Sequence, residues 1–350
     1  MNVAIVGASG AVGKEMINCL HSEGVTVSRL GLFGSKNSAG RVFSTPFGEI
    51  VVEEFSLDKV STYSIVLLAV SGEFSLVWAP QLVAKGCLVI DNSSAFRYQG
   101  EVPLVVPEIN FHHVVGGQAN IIANPNCTTA ICAMVLSPLR CFGIDSLICS
   151  TYQAASGAGD KGMAELESAI SAHHLQTTFT PTVFSHNICT NVIPAIDKPL
   201  PNGYTKEEMK LVWETQKIFD SPSWKISSTA VRVPTSRAHC VAATIVFGGP
   251  VNVHDVRERL ANAPGVELID DINNGFFPTP QLATSNPNVL VGRIRQNLVF
   301  GEKGIDLFIA GDQLLRGAAL NAVRIAQKVH TKEASVFNHD RRRSKDTVCM

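Results

Sequence analysis

The sequence is short of charge, of long apolar runs and of closely spaced cysteines. Only 17% of the 350 residues are charged, and the formal net charge is −1. That excludes a broad basic field of the kind that draws a protein to nucleic acid or anionic lipid, so neither is expected as a partner. The longest purely apolar runs, such as Ile65 to Val70, are far too short to span a bilayer. A strand-like segment begins at Asn2, which leaves no room for a signal peptide, and a cytoplasmic location is expected. None of the nine cysteines stands in a Cys-x-x-Cys pair, so no zinc site or thioredoxin-like centre is signalled, and no metal is expected. An odd, scattered set of thiols fits a reducing compartment better than a disulfide framework.

What the chain has is material for a sizeable core. Hydrophobic residues make up 45% of it, and the mean hydropathy is +0.17. The length favours two domains. An apolar strand over 2–7 precedes a helix over 11–23, and strand-like runs follow at 28–33, 64–70 and 87–91, with an amphipathic stretch at 73–84. Strands alternating with helices imply a parallel sheet covered on both faces, a Rossmann-type α/β domain ending near Asn126. A long helix over 127–142 leads into a second part, with strands expected at 144–154, 226–233, 238–248, 290–300 and 305–311 and helices at 160–174 and 205–220. Their less regular alternation points to an α+β layout with a mixed or mostly antiparallel sheet. The domains are therefore set at 1–126 and 127–312, with a final amphipathic helix over 313–330 returning to complete the first. The tail at 336–350, with Arg341-Arg342-Arg343-Ser344-Lys345, reads as a solvated, flexible terminus.

Between the first strand and the first helix stands Gly7-Ala8-Ser9-Gly10-Ala11-Val12-Gly13. Phosphate binding needs a backbone that comes close to its ligand, with free N–H groups at a helix N-terminus. Three glycines there, with Ser9, Ala11 and Val12 among them, suggest a dinucleotide cradle. An NAD site expects an acid at the end of the second strand to hold the ribose hydroxyls. This chain has Ser35, Lys36, Asn37 and Ser38 there, then Arg41: hydroxyls and cations, and no acid. That favours a 2′-phosphate, and hence NADP.

The long helix opens with Asn124-Pro125-Asn126-Cys127-Thr128-Thr129. Asn126 suits the N-cap. A cysteine in the first turn sits at the positive end of the helix dipole, which is expected to lower its pKa and activate it as a nucleophile. Beside a dinucleotide cradle, such a thiol suggests a reaction that holds an acyl group on sulfur and moves a hydride. The thiol also needs a proton donor and acceptor. His239 enters a strand shortly after Arg232-Val233-Pro234, but the residues alone leave its role open, since a lone histidine is more often structural. The pairs His112-His113 and His173-His174, with His186 and His254, show no metal-ligand spacing.

These motifs are joined by Gln153-Ala154-Ala155-Ser156-Gly157-Ala158-Gly159, Asp91-Asn92-Ser93-Ser94-Ala95-Phe96-Arg97, Val106-Pro107-Glu108-Ile109-Asn110 and Glu207-Glu208-Met209-Lys210. Together, and in order from residue 2 to 330, they closely resemble the bacterial-type aspartate-semialdehyde dehydrogenases. The resemblance implies NADPH-dependent, reversible reductive dephosphorylation of 4-phospho-L-aspartate to L-aspartate 4-semialdehyde. That aldehyde feeds the formation of lysine and diaminopimelate, threonine, methionine and isoleucine. Cys127 is implied to hold the aspartyl group as a thioester, with phosphate as co-substrate in the oxidative direction. His239 is implied as general acid/base, its ordinary pKa of about 6.5 suiting proton exchange near neutral pH. Arg232 is implied to grip the substrate carboxylate, for which a planar fork of donors is suited. Arg97 and Lys210 are implied to bind the phosphate, Glu207 the substrate amine, and Gln153 the thioester carbonyl. Ser156, Gly157 and Gln313 are implied by the resemblance to contact the cofactor. A homodimer built through the sheet of the second domain is also implied.

Two positions depart from the family pattern. Asn37 stands where the family often has Arg, which leaves Lys36 to carry the charge. Asp312-Gln313-Leu314 stands where the family usually has Asp-Asn-Leu, and Gln is one methylene longer. Two rival readings are weaker. An N-acetyl-glutamyl-phosphate reductase shares the thioester chemistry, but its usual Pro-Gly-Cys-Tyr-Pro-Thr motif is absent. A non-catalytic NADP-binding sensor would be expected to lack Cys127, His239 or Arg232, and the chain has all three.

Overall fold

The computed structural model describes residues 1–115 and 120–331, so the basic tail at 336–350 lies outside the described residues. The first strands are β1 (Asn2–Val6), β2 (Arg29–Gly34), β3 (Val42–Thr45), β4 (Gly48–Val51), β5 (Glu53–Glu54), β6 (Ile65–Leu68), β7 (Leu88–Asp91) and β8 (Ile121–Ala123). All but β3 and β4 form one parallel sheet in the order β5-β2-β1-β6-β7-β8. β1 is apolar throughout because both its faces are covered. Val3 and Ile5 pack with the helix Ala11–Ser22 and the last helix, while Ala4 and Val6 face the helix Gly72–Ala84. β1 lies between β2 and β6, so the chain diverges there and a crevice opens at its C-terminal end, where the glycine loop sits. The β3–β4 hairpin and the three-residue β8 carry too few residues to show a period, and the sequence reading did not anticipate them.

The second sheet contains β9 (Ile144–Gln153), β10 (Lys225–Arg232), β11 (His239–Phe247), β12 (Val266–Leu268), β13 (Val289–Asn297) and β14 (Gly301–Gly311). Their order is β10-β9-β11-β14-β13-β12, and the sheet is mixed: β9/β10 and β12/β13 are parallel, the other pairs antiparallel. One face packs on the helices Cys127–Leu139, Lys206–Ile218 and Val253–Ala261. Along β9, Leu147 and Cys149 enter that core, while Ile148 and Tyr152 on the other face are 48% and 39% exposed.

The helix Cys127–Leu139 is buried nearly all round, as befits an element between two layers. The helix expected to reach 142 is α-helical only to Leu139. Pro138 lacks an N–H for the ladder, the chain tightens into a 3₁₀ turn over Arg140–Phe142, and Gly143 at φ +73° ends it. The final helix also differs from expectation at its start. Residues Leu315–Ala319 form a wide π turn, with Gly317 N–H donating to Asp312 C=O at 3.1 Å and Ala319 N–H to Leu314 C=O at 2.9 Å. The Asp312 carboxylate caps this turn by accepting the Leu314 and Leu315 amides at 2.9 and 3.2 Å. The widening seats Gly317 against the candidate nucleophile, since a Cβ there would lie 2.7 Å from the Cys127 Cβ. From 320 to 331 the chain is α-helical and packs beside β1. Among the described residues no helix is long and apolar enough to cross a membrane.

Candidate active site

The glycine loop is held tightly. Gly7 has φ +86°, and a Cβ on it would lie 2.2 Å from the Ala69 carbonyl oxygen. A Cβ on Gly13 would lie 2.3 Å from the Gly7 carbonyl oxygen, so the helix can sit this close to the loop only because both residues are glycine. Gly10 is the N-cap of the helix Ala11–Ser22, and no side chain bonds across its end. The segment expected to read the ribose follows β2, where Ser35, Lys36 and Asn37 are exposed. It is joined to the loop by the Ser9 hydroxyl, which donates to Ser38 Oγ at 2.9 Å.

Beside the loop lies a cavity of about 680 Å³. Val12 reaches it from the loop, and Cys127, Arg97, Gln153, Ser156, Gly157, Glu207, Lys210, Arg232 and Gln313 also line it. Gly7, Ser9, Gly10, Ala11, Gly13 and the 35–38 segment lie outside this wall and form the adjoining loop. Asn126 caps the cysteine helix as expected, its side-chain oxygen accepting the Thr128 and Thr129 amides at 3.0 and 3.2 Å. The helix Lys206–Ile218 starts with a capping box between Thr205 and Glu208, which fixes Glu207, Lys210 and Glu214 on the face toward the cavity.

On this cysteine side the charges are paired. Arg97 donates to Glu214 at 3.0 Å, to the Asn124 carbonyl at 2.8 Å and to the Asn92 carbonyl at 2.7 Å. Glu214 is fully buried and also accepts the Asn126 amide at 2.6 Å. Lys210 donates to Glu207 at 2.9 Å and to Asp197 at 2.7 Å. Glu207 accepts from Asn126 at 3.0 Å and from Gln153 at 3.2 Å. Burial opposes the Glu207 charge, but Lys210, Asn126 and Gln153 together hold its carboxyl below the usual range. The expectation for Cys127 needs correction. Burial, then the Glu207 charge, pushes its thiol up to about 11, and Arg97, Thr128 and Lys210 only partly offset this. A helix terminus does lower a thiol pKa, but here desolvation outweighs it.

The histidine side is different. His239 is fully buried behind Gly157, where an added Cβ would lie 3.1 Å from its Nε2 and 2.5 Å from Arg232 Nη1. Its Nδ1 accepts the Ala154 amide at 3.1 Å, so the neutral ring carries its proton on Nε2, and that buried atom has no partner among the described residues. Burial, then the Arg232 charge, holds the His239 pKa well below 6.5. This corrects the expectation of an imidazole titrating near neutrality. Arg232 donates to the Ala154 carbonyl at 2.6 Å and lies 5.7 Å from the Phe184 ring. His239 is positioned by its neighbour Ala238, which adopts φ +69°. The Ala238 amide donates to Gln313 at 2.8 Å, and the Gln313 amide nitrogen donates in turn to the Ser156 hydroxyl.

The chain matches the sequence models of the semialdehyde dehydrogenase NAD binding domain over residues 2–116 and dimerisation domain over residues 136–316. It is 40% identical over 332 residues to the aspartate-semialdehyde dehydrogenase of Shewanella sp. (strain DB6705), covering 93% of this chain and 96% of that one. The chain belongs to the aspartate-semialdehyde dehydrogenase family. The Bacillus subtilis (strain 168) member is 39% identical over 341 residues, covering 94% and 97% of the two chains. The crystal structure of aspartate semialdehyde dehydrogenase II from Vibrio cholerae, complexed with ASA, superposes with a TM-score of 0.89 at 38% identity, over 93% and 97% of the chains. A Rossmann-type domain joined to an α+β domain is thus the fold of this chain and of its relatives.

Several residues of this family member escaped the sequence reading. Glu214 stands seven residues after Glu207 and four after Lys210, so helical spacing was a usable signal. Asp197 lies in a loop and gave none. Glu165 accepts from the Thr182, Val183 and Phe184 amides at 2.7, 2.5 and 3.0 Å, and so holds the loop whose Phe184 faces Arg232. The structure also gathers His112, His113 and Asp220, with ligand-type atoms within 4.8 Å of one another. Both His113 ring nitrogens are already engaged there, by Asn110 at 3.3 Å and Asp220 at 2.9 Å.

Proposed function

We propose that this protein catalyses the NADPH-dependent, reversible reductive dephosphorylation of 4-phospho-L-aspartate to L-aspartate 4-semialdehyde. The observation that carries this reading is the company Cys127 keeps. One cavity sets a thiol among an arginine that touches no carboxylate among the described residues, a buried glutamate and two cations, beside a glycine loop. A substrate with a carboxylate, an ammonium and a phosphate finds a group of opposite charge for each: Arg232, Glu207, and the Arg97–Lys210 pair.

In the reductive direction Cys127 gives up its proton to water and its thiolate attacks the acyl carbon, the bond to the phosphate oxygen breaks, and phosphate leaves toward Arg97 and Lys210. Gln153 orients the carbonyl of the resulting thioester. NADPH, when bound, supplies the hydride. His239, held neutral, presents its Nε2 proton beside Gly157 as a hydrogen-bond donor to the carbonyl oxygen on which charge develops, and the C–S bond then breaks to release the aldehyde and the Cys127 thiolate. For the cofactor, glycine at 7 and 13 lets strand, loop and helix pack closely, and the open cap at Gly10 presents first-turn amides to a phosphate. The absence of an acid after β2, with Lys36 exposed there, favours NADP over NAD. Ser156, Gly157 and Gln313 continue the cofactor wall. The half-exposed face of the second sheet, with Ile148 and Tyr152, fits a second copy of the chain, so we read a homodimer. Free cysteines and a thiol mechanism fit a reducing, cytoplasmic setting.

The test is reduction of NADP, with NAD in parallel, by purified protein given L-aspartate semialdehyde and phosphate. A phosphate-dependent signal with NADP, lost by at least about 10⁴-fold in Cys127→Ala, is expected. Equal rates with NAD would overturn the cofactor preference. Activity without phosphate, or retained in the variant, would overturn the reaction.

A further inference from the structure

Lys210 is shared by two carboxylates that are not equivalent. Glu207 is occupied on its other oxygen by Asn126 and Gln153, which ties it to the cap of the cysteine helix and to β9. Asp197 has no such ties. Its Oδ2 takes Lys210 at 2.7 Å, and among the described residues its Oδ1 accepts only the adjacent Lys198 amide at 2.8 Å. It stands in a loop, in the left-handed region at φ +71°, with its side chain 28% exposed on the cavity wall. Three cations, Arg97, Lys210 and Arg232, and two carboxylates, Glu207 and Asp197, line the cavity, with a third carboxylate, Glu214, buried behind Arg97. Of the three carboxylates, Asp197 is the one that anchors nothing else in the site.

We propose that Asp197 is a specificity-determining residue: a counter-ion that occupies Lys210 in the phosphate-free enzyme and weakens the hold on phosphate. This rests on reading Arg97 and Lys210 as the phosphate subsite. A phosphate oxygen bonded to Lys210 comes within about 5.5 Å of the Asp197 carboxylate, where like charges repel even in a wet cavity. A loose hold has a use. A dianion gripped by Arg97 and by a Lys210 balanced by Glu207 alone leaves more slowly, and the second carboxylate keeps its departure from limiting turnover.

The variants are Asp197→Asn, Asp197→Glu and Lys210→Met. Asn is tolerated in the left-handed region as Asp is, so Asp197→Asn removes the charge without moving the backbone. The measurements are the Kd of inorganic phosphate on the NADP-loaded enzyme by calorimetry, and the phosphate KM in the oxidative direction. Asp197→Asn is expected to lower both about three- to tenfold. Asp197→Glu should stay near wild type, and the gain should vanish in the Lys210→Met background. An unchanged or weaker phosphate Kd in Asp197→Asn, with binding lost in Lys210→Met, would show that Asp197 merely steadies the lysine and would overturn the inference. Lys210→Met leaving phosphate binding intact would instead remove the phosphate subsite, and the inference with it.

Discussion

On the cysteine side of the cavity each cation touches a carboxylate: Arg97 with Glu214, and Lys210 with Glu207 and Asp197. On the histidine side Arg232 touches only a carbonyl, and among the described residues it has no carboxylate in contact. The two sides teach different lessons about buried charge. The paired side is electrostatically complete, so it can serve as scaffold and still exchange one partner for a ligand. The unpaired side is incomplete, and the missing anion is the one a substrate carboxylate brings. Burial is the larger reason His239 stays neutral, and the guanidinium beside it adds to the effect by disfavouring a second positive charge.

The sharpest way to break the comparison is to cut the paired side at its most buried point. Glu214→Gln leaves Arg97 buried with its charge unmatched and removes a charged acceptor from the Asn126 amide. A loss of about 3–5 kcal/mol in unfolding free energy is expected, read by urea denaturation. A loss under about 1 kcal/mol would show that the pair is dispensable and that the two sides are not so different. Next in size is the unpaired side. Arg232→Leu is expected to raise the semialdehyde KM about a hundredfold with little change in stability, since no carboxylate loses its partner. It should also raise the His239 pKa, which ¹⁵N NMR titration of the ring can follow.

The smallest effect concerns the thiol. In the ligand-free enzyme, iodoacetamide modification of Cys127 should keep accelerating with pH toward about 11, the point to which burial and Glu207 push the thiol. Glu207→Gln removes a negative charge, lowers that pKa and increases the thiolate fraction at pH 8. Modification there should become severalfold faster. A slower reaction would mean that Glu207 activates the thiol instead of restraining it.

Local chemistry was legible in the sequence, and long-range compensation was not. The glycine loop and the Asn126 cap are built from residues a few positions apart, so spacing alone placed them. Arg97 and Glu214 are separated by 117 residues, and nothing in either segment announces the other. The helix start picked out Cys127, family resemblance gave roles to His239, Arg232, Glu207 and Lys210, and the fold brings them to one place. Resemblance could not supply their protonation. A thiol judged from its helix terminus looked acidic, and a histidine judged by its ordinary pKa looked titratable; burial reversed both expectations. The parallel sheet was readable because it alternates with helices. The shortest strands and the π turn at Leu315–Ala319 depend on contacts made across the chain.

That π turn sets an order on how the site can come into being during synthesis. Cys127 is in place early, but the wall that closes on it, Gly317, and the residue that fixes the backbone before His239, Gln313, come from a segment translated nearly two hundred residues later. Their docking also needs the helix at 320–331 to settle beside β1, a strand from the opening residues. A ribosome-bound chain can thus form its glycine loop and the first turn of its cysteine helix, yet the site stays incomplete until those last turns clear the exit tunnel.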